Sequence, residues 1–202
     1  MTWAREVVAR ILSPPVGWIL GGPRVVGAEN LARLTSPFLV CPNHNSHFDH
    51  PALRIALGSR YRRRLAIAAA SDYFWRSRRR AFFAGWLAGF PFNRTGRGGK
   101  DSVHAMEALL ANGWSVVVYP EGTRSRTGEI GSFKPGAALV AARTGCDVLP
   151  VRIVGIDAVL PVGARWPRRG QVEIRFGEPL RAAPGEDARS LNERLEAAVR
   201  EL

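Results

Sequence analysis

The sequence predicts an α/β sandwich, a single domain in which helices cover both faces of a mixed, mostly parallel sheet. The first observation is that short apolar runs of strand character alternate along the chain with segments of helical periodicity. The second is size, because 202 residues with 46% hydrophobic and 23% charged side chains suit one domain with its own core. No internal repeat or low-complexity linker divides the chain.

Strands are predicted where apolar or alternating residues are bounded by glycine, proline or polar residues. The run at 114–119 has the clearest pattern of a buried strand. The predicted strands are residues 24–27, 38–41, 65–70, 114–119, 148–154 and 171–176, with a brief extended run at 90–92. Because helices separate many of these runs, the connections favour parallel pairing.

Helices are predicted where apolar residues recur at helical spacing, and glycine marks most of their carboxyl ends. The predicted helices are residues 51–57 (ended by Gly58), 73–88 (with an aromatic face, ended by Gly89), 101–112 (with Gly113 as a left-handed cap), 135–144 (ended by Gly145) and 190–202. They supply the layers that cover the predicted sheet.

The sequence predicts that residues 1–23 form an amphipathic segment ahead of the main domain, residues 24–202. Trp3, Val7 and Ile11 recur at helical spacing, so the segment suits either a membrane interface or packing on the protein's own core. No apolar run approaches the roughly 18 residues that span a bilayer. Cys41 and Cys146 are too few for a disulfide framework, which is typical of a cytosolic protein.

Charge is the unusual feature of the composition, with a formal net charge of +12. Residues 60–100 hold eleven lysines and arginines but one acidic residue, Asp72, a local net charge of +10. Such a concentration predicts a partner or substrate with negative charge, either a phosphate-bearing lipid, an anionic membrane surface or a nucleic acid.

A polar stretch, Asn43 to His50, joins the predicted strand 38–41 to Pro51, a residue that suits the first turn of a helix. His44 is the natural proton acceptor of this turn because imidazole titrates near neutral pH. Asp49 is placed to accept the other imidazole N–H, which would orient the ring and stabilise the imidazolium as it forms. The pair predicts a general base.

A second polar stretch, Tyr119 to Ser125, follows the predicted strand 114–119. Gly122 permits a close approach of the backbone to a ligand, Thr123 offers a hydroxyl, and Arg124 offers a planar fork for phosphate. Ligands of open α/β sheets bind at the carboxyl ends of strands, so we expect His44 and Glu121 to reach one crevice.

These motifs resemble the glycerolipid acyltransferase family typified by lysophosphatidic acid acyltransferase, that is, 1-acylglycerol-3-phosphate O-acyltransferase. The family's four blocks correspond, in order, to the His-x4-Asp motif at 43–49, Gly89 to Arg94, Pro120 to Ser125 with Phe133 to Gly136, and Leu149 to Val151. The similarity covers about residues 24–180. Two positions depart from the family pattern: Asn93 replaces a frequent aspartate, and Tyr119 replaces a frequent phenylalanine.

The resemblance implies an O-acyltransferase of phospholipid biosynthesis, associated peripherally with the cytoplasmic face of a membrane. It implies that an acyl group moves from coenzyme A or acyl carrier protein to a lysophospholipid hydroxyl, with no cofactor beyond that co-substrate. His44 would take the proton and Asp49 would orient the imidazole. Substrate binding is assigned to Arg94, Glu121, Gly122, Thr123, Arg124 and Lys134. An anionic membrane surface is the expected partner, and nucleic acid is not expected.

Three alternatives are less favoured. A metal site at His44, His47, Asp49 and His50 requires ligands arranged around one point, which the following Pro51 restricts. A basic nucleic-acid-binding domain would use the arginines and aromatic residues of 62–82 but leaves the His-Asp motif without a role. A thioesterase on the same fold would replace the lipid hydroxyl with water.

Overall fold

The structure, a computed structural model, describes residues 11, 13–70, 77, 89–93 and 97–202. The predicted helix at 73–88, apart from residue 77, and the predicted site residue Arg94 lie outside the described residues, as does most of the predicted amphipathic segment before residue 13. In the part that is described, no helix combines the length and the apolar character needed to cross a bilayer.

The described strands form one sheet. Its strands are β1 (Arg24–Val26), β2 (Leu39–Pro42), β3 (Leu65–Ala70), β4 (Gly89–Phe92), β5 (Ser115–Val117), β6 (Val148–Val154) and β7 (Glu173–Phe176). They lie in the order β1-β7-β6-β2-β5-β3-β4. Neighbouring strands pair in parallel except β6 and β7, which pair antiparallel. The predicted mixed, mostly parallel sheet is confirmed.

Helices are packed on both faces of this sheet. They are α1 (Asp49–Arg62), α2 (Arg97–Ala111), α3 (Gly136–Thr144), the short α4 (Ile156–Val159) and α5 (Ala188–Glu201), with a 3-10 helix at Ala28–Arg33 and helical residues at 13–19. Gly145 caps α3 in the left-handed conformation that the sequence predicts, and its N–H donates to the Ala141 carbonyl.

Alternation along β2 explains why the sheet has a core on each face. Phe38 and Val40 pack with Leu53 and Leu57 of α1, whereas Leu39 and Cys41 pack with α2, α3 and α5 on the other face. All four β2 residues are buried, so the strand that leads to His44 is held on both sides.

The predicted end of the helix at Gly58 is confirmed, because the backbone leaves the helical conformation there and α1 consists of two helical stretches joined at a kink. Gly58 adopts a non-helical conformation with φ 68°, but the chain kinks there and remains helical to Arg62. Tyr61, beyond the kink, explains the continuation: its hydroxyl donates to the Leu31 carbonyl at 2.8 Å and its ring meets Phe38 edge-on. These tertiary contacts hold the second helical stretch, after Gly58, against the core.

Candidate active site

The two polar stretches lie side by side because they follow neighbouring parallel strands. β2 pairs with β5, with Val40 opposite Val117. His44 follows the end of β2, and residues 119–125 follow the end of β5. The Ser125 N–H donates to the His44 carbonyl at 2.7 Å, which joins the two turns directly. The carboxyl edge of the sheet is therefore the candidate site.

His44 and Asp49 are in hydrogen-bond contact. Imidazole Nδ1 lies 2.7 Å from Asp49 Oδ2, with the Asp49 side chain fully buried and the His44 side chain 20% exposed. Because a carboxylate accepts this hydrogen bond, Nδ1 carries the proton and Nε2 is the nitrogen that can take another. The ring thus has the tautomer that a general base requires.

The turn itself holds Asp49 in place. Its Oδ2 also accepts the backbone N–H groups of Asn45 and Ser46, each at 2.9 Å, as the chain enters α1. Asp49 lies in the first turn of this helix, where a negative charge is favoured. The spacing of five residues therefore works because the chain bends at a helix start, as the sequence predicts.

Glu121 connects the two turns through backbone donors. Its Oε1 accepts the His44 N–H at 2.7 Å and its Oε2 accepts the Gly131 N–H at 2.9 Å. Burial raises the pKa of the carboxyl, while these two hydrogen bonds and the nearby His44 act in the opposite direction. Glu121 thus fixes the backbone beneath His44; its assignment to substrate binding stays a prediction.

Tyr119 lies against the imidazole of His44. Its ring and that of His44 are stacked, with centroids 4.0 Å apart and planes 24° from parallel. Burial, and secondarily the charge of Asp49, raise the pKa of the phenol well above its usual range, so it is uncharged. Its hydroxyl is buried without a hydrogen-bond partner among the described residues. The stack restricts rotation of the imidazole.

Lys134 lies beside the turn at 120–125. Gly122 has φ 71°, and a Cβ added there would lie 3.0 Å from Lys134 Nζ, so a larger residue would displace the ammonium group. The Lys134 N–H donates to the Pro120 carbonyl at 2.9 Å. Thr123 and Arg124 belong to the same turn, so the structure groups every predicted site residue that it describes.

Two supporting residues were not predicted. The Asn43 side chain bonds both backbone groups of Ile153, donating to its carbonyl at 3.1 Å and accepting its N–H at 2.7 Å. The Ser46 hydroxyl donates to the Leu160 carbonyl at 2.8 Å. A buried position directly after a strand was the available signal for Asn43, because a buried amide requires partners.

Metal ligation finds no support in the part of the chain that is described. There, no three histidine, cysteine or acidic side chains come together as metal ligands would. Asp49 instead uses one oxygen to hold the turn and the imidazole.

The chain belongs to the acyltransferase family, as its fold and its adjoining His-Asp and Glu-Gly-Thr-Arg turns indicate. The family model described as Acyltransferase matches residues 22–154, which confirms the resemblance seen in the sequence.

Individual relatives show which members of the family the chain is similar to. Over 159 residues the chain is 30% identical to the 1-acyl-sn-glycerol-3-phosphate acyltransferase LPAT1, chloroplastic, of Arabidopsis thaliana, covering 77% of this chain and 43% of that protein. Over 150 residues it is 31% identical to the 1-acyl-sn-glycerol-3-phosphate acyltransferase alpha of Mus musculus, covering 72% of this chain and 50% of that protein. The chain thus spans half or less of the length of these relatives.

A solved structure supports the fold. The crystal structure of the 1-acyl-sn-glycerophosphate (LPA) acyltransferase PlsC from Thermotoga maritima aligns with a TM-score of 0.65 and 24% sequence identity. The alignment covers 98% of this chain and 83% of that one.

Proposed function

We propose that this protein transfers a fatty acyl group from an acyl thioester to the hydroxyl of a lysophospholipid, with His44 as general base. The acceptor is 1-acylglycerol-3-phosphate and the product phosphatidic acid. The observation that carries the proposal is the 2.7 Å contact between His44 Nδ1 and the buried Asp49 carboxylate. The names of the relatives, all 1-acyl-sn-glycerol-3-phosphate acyltransferases, support the choice of acceptor.

The reaction needs no covalent enzyme intermediate. His44 Nε2 takes the proton of the acceptor hydroxyl as its oxygen attacks the thioester carbonyl carbon. The new C–O bond forms, the C–S bond breaks, and the thiolate leaves with the proton that His44 returns. Asp49 stabilises the imidazolium between these steps.

Acceptor binding is assigned to cationic groups beside this base. Arg124 belongs to the turn that touches the His44 backbone, Lys134 lies beside that turn, and both suit an anionic phosphate. Arg94 has the same assignment from the sequence. Phosphate binding at a distance from the hydroxyl would convert binding energy into orientation of the attacking oxygen.

The acyl donor is a thioester of coenzyme A or of acyl carrier protein. The protein acts as a peripheral protein on the cytoplasmic face of a membrane. Both substrates carry long acyl chains, so a protein that meets the bilayer surface has access to them. The positive net charge of +12 suits an anionic lipid surface.

The test is to incubate the purified protein with an acyl thioester and a panel of lysolipids, and to identify products by mass. His44→Ala should lower turnover roughly 100-fold or more. His104→Ala, an exposed histidine of α2, is the matched control and should act as wild type. Wild-type turnover in His44→Ala would contradict the role of His44 as general base. Release of free fatty acid that does not depend on any acceptor would indicate a thioesterase.

Arg124→Ala tests acceptor recognition. Loss of a charge-assisted hydrogen bond should raise the KM for a phosphate-bearing acceptor about tenfold or more, with little change in the KM for the acyl donor. Arg126→Ala, an exposed arginine of the same loop, is the control. Equal effects on both substrates would show that Arg124 does not bind the phosphate.

A further inference from the structure

Large apolar side chains are exposed on one loop and on the helical segment beside it. Trp166 is 80% exposed and Val162 is 38% exposed, both in the loop 160–170. Trp18, at the end of the helical residues 13–19, is 64% exposed. Tryptophan is seldom left so open to water unless it meets another surface.

The same loop is positively charged. Residues 158–172 contain Arg165, Arg168 and Arg169 and no acidic residue. All three arginines are exposed, and none forms an ion pair with an acidic side chain among the described residues. The loop thus presents uncompensated cations next to exposed apolar groups.

The loop and the helical segment form one surface. The Arg169 guanidinium lies over the Trp18 ring, 5.3 Å from its centroid. The Gly170 N–H donates to the Ile19 carbonyl at 3.0 Å, and a Cβ added at Gly21 would lie 2.6 Å from the Gly170 carbonyl oxygen. These contacts hold the two segments close together. We call this the Trp-Arg surface: Trp18, Val162, Arg165, Trp166, Arg168 and Arg169.

The loop 160–170 is hydrogen-bonded to the turn that holds His44 and Asp49. Ser46, whose backbone N–H binds Asp49, donates its hydroxyl to the carbonyl of Leu160, the first residue of the loop. The Arg168 N–H donates to the Val159 carbonyl at 2.8 Å, which draws the loop back onto α4. The loop that carries most of the Trp-Arg surface therefore starts beside the turn that holds His44 and Asp49.

We propose that the Trp-Arg surface docks the protein on an anionic phospholipid bilayer. Tryptophan favours the boundary between headgroups and acyl chains, and guanidinium groups bind lipid phosphates. Burial of the exposed Val162 side chain among acyl chains is favourable, whereas the charged backbone of a nucleic acid offers it no apolar surface. This difference favours a bilayer over an RNA or DNA strand. The inference deepens the peripheral membrane location in the proposed function by naming the surface that achieves it.

The test is co-sedimentation of the full chain with vesicles of phosphatidylglycerol and phosphatidylcholine, and with vesicles of phosphatidylcholine alone. Wild type should bind the anionic vesicles, less at high salt. Trp166→Ala and the double variant Arg165→Gln, Arg168→Gln should each weaken binding about tenfold or more. The matched control is Arg63→Gln with Arg64→Gln, an equal charge loss at exposed arginines outside this surface.

Two results would overturn the proposal: unchanged vesicle binding in the Trp-Arg variants at wild-type Tm, or an equal loss in the Arg63, Arg64 control. Binding of single-stranded DNA that these variants lose, without vesicle binding, would assign the surface to nucleic acid instead. His44→Ala should bind vesicles as wild type does, so docking is measured independently of acyl transfer. The Trp-Arg variants should also retain acyl transfer to a short-chain acceptor that is free in solution.

Discussion

At the level of single residues, one carboxylate oxygen of Asp49 binds both the backbone of its turn and the imidazole of His44. Asp49 Oδ2 accepts from the imidazole Nδ1 at 2.7 Å and from the N–H groups of Asn45 and Ser46 at 2.9 Å. The other oxygen is buried with no hydrogen-bond partner among the described residues. The geometry of the turn and the charge beside the imidazole can therefore be separated by substitution.

Asp49→Asn should preserve the backbone conformation of the turn but lower the rate of acyl transfer. Its amide oxygen can still accept the three N–H groups, but a neutral partner no longer stabilises the imidazolium. We expect kcat to fall roughly 100-fold to 10,000-fold, with a Tm a few degrees below wild type. Asp49→Ala, which also removes the acceptor of three hydrogen bonds, should lose clearly more stability at a similar cost in activity. Activity of Asp49→Asn within threefold of wild type would show that the charge is not used.

At the level of loops and strands, the site depends on backbone contacts between segments far apart in sequence. Glu121 joins the backbone at His44 to that at Gly131, and Asn43 joins the end of β2 to β6. Both residues are buried. A buried carboxyl that accepts only neutral N–H donors keeps part of its desolvation cost, which is why burial raises its pKa.

Glu121 should therefore make stability depend on pH in a defined direction. Its pKa in the folded protein lies above 4.5, the ordinary value for a glutamate carboxyl. As pH rises from that value, the unfolded chain loses this proton first, so unfolding releases a proton and stability falls until the folded pKa is passed. The free energy of unfolding of wild type minus that of Glu121→Gln should thus decrease as pH rises. Urea unfolding of both proteins between pH about 4 and about 7 measures this difference in free energy of unfolding.

Glu129→Gln, at an exposed position of the same loop, is the control for removing one negative charge. A difference between wild type and Glu121→Gln that increases over this pH range would contradict the assignment. It would mean that the two backbone hydrogen bonds outweigh burial.

The presence of most helices and strands could be predicted from the sequence, but the residues at which they begin and end were less predictable. The strand at Val148–Val154 and the helix cap at Gly145 are confirmed because apolar patterning and glycine geometry act locally. The strand predicted at 114–119 pairs only over Ser115–Val117, and α2 begins at Arg97, earlier than the predicted 101. These ends depend on neighbouring segments, which periodicity does not report.

The site shows the same division between local and distant contacts. His44 and Asp49 were predicted as a pair because they belong to one short turn, and the carboxyl-edge rule placed residues 119–125 near them. The partners of Glu121 were not predictable, since Gly131 returns to it only after the loop has folded. The stack of Tyr119 on His44 was also missed, although the sequence marks Tyr119 as a departure from the family pattern.

At the level of the whole molecule, the last helix belongs to the same core as the site. The family match ends at residue 154, yet α5 packs on α3 and β6 and buries Leu191, Leu195 and Val199 in the core on that face of the sheet. Residues of α5 also hold the site loop: Glu196 accepts the Phe133 N–H at 2.8 Å and Asn192 donates to the Phe133 carbonyl at 3.0 Å. Phe133 directly precedes Lys134, so α5 supports the predicted acceptor site from behind.

Leu195→Ala should consequently destabilise the entire domain rather than release one helix. Leu195 is fully buried, and truncation of such a leucine costs about 2–5 kcal/mol of unfolding free energy. Because α5 shares its core with the helices beside the sheet, thermal unfolding should remain one transition at a lower Tm, with activity lost at the same temperature. Glu193→Ala, exposed on the same helix, should change stability by less than about 0.5 kcal/mol. Two separate transitions in Leu195→Ala would instead mean that α5 unfolds alone, and that the loop at Phe133 keeps its position without it.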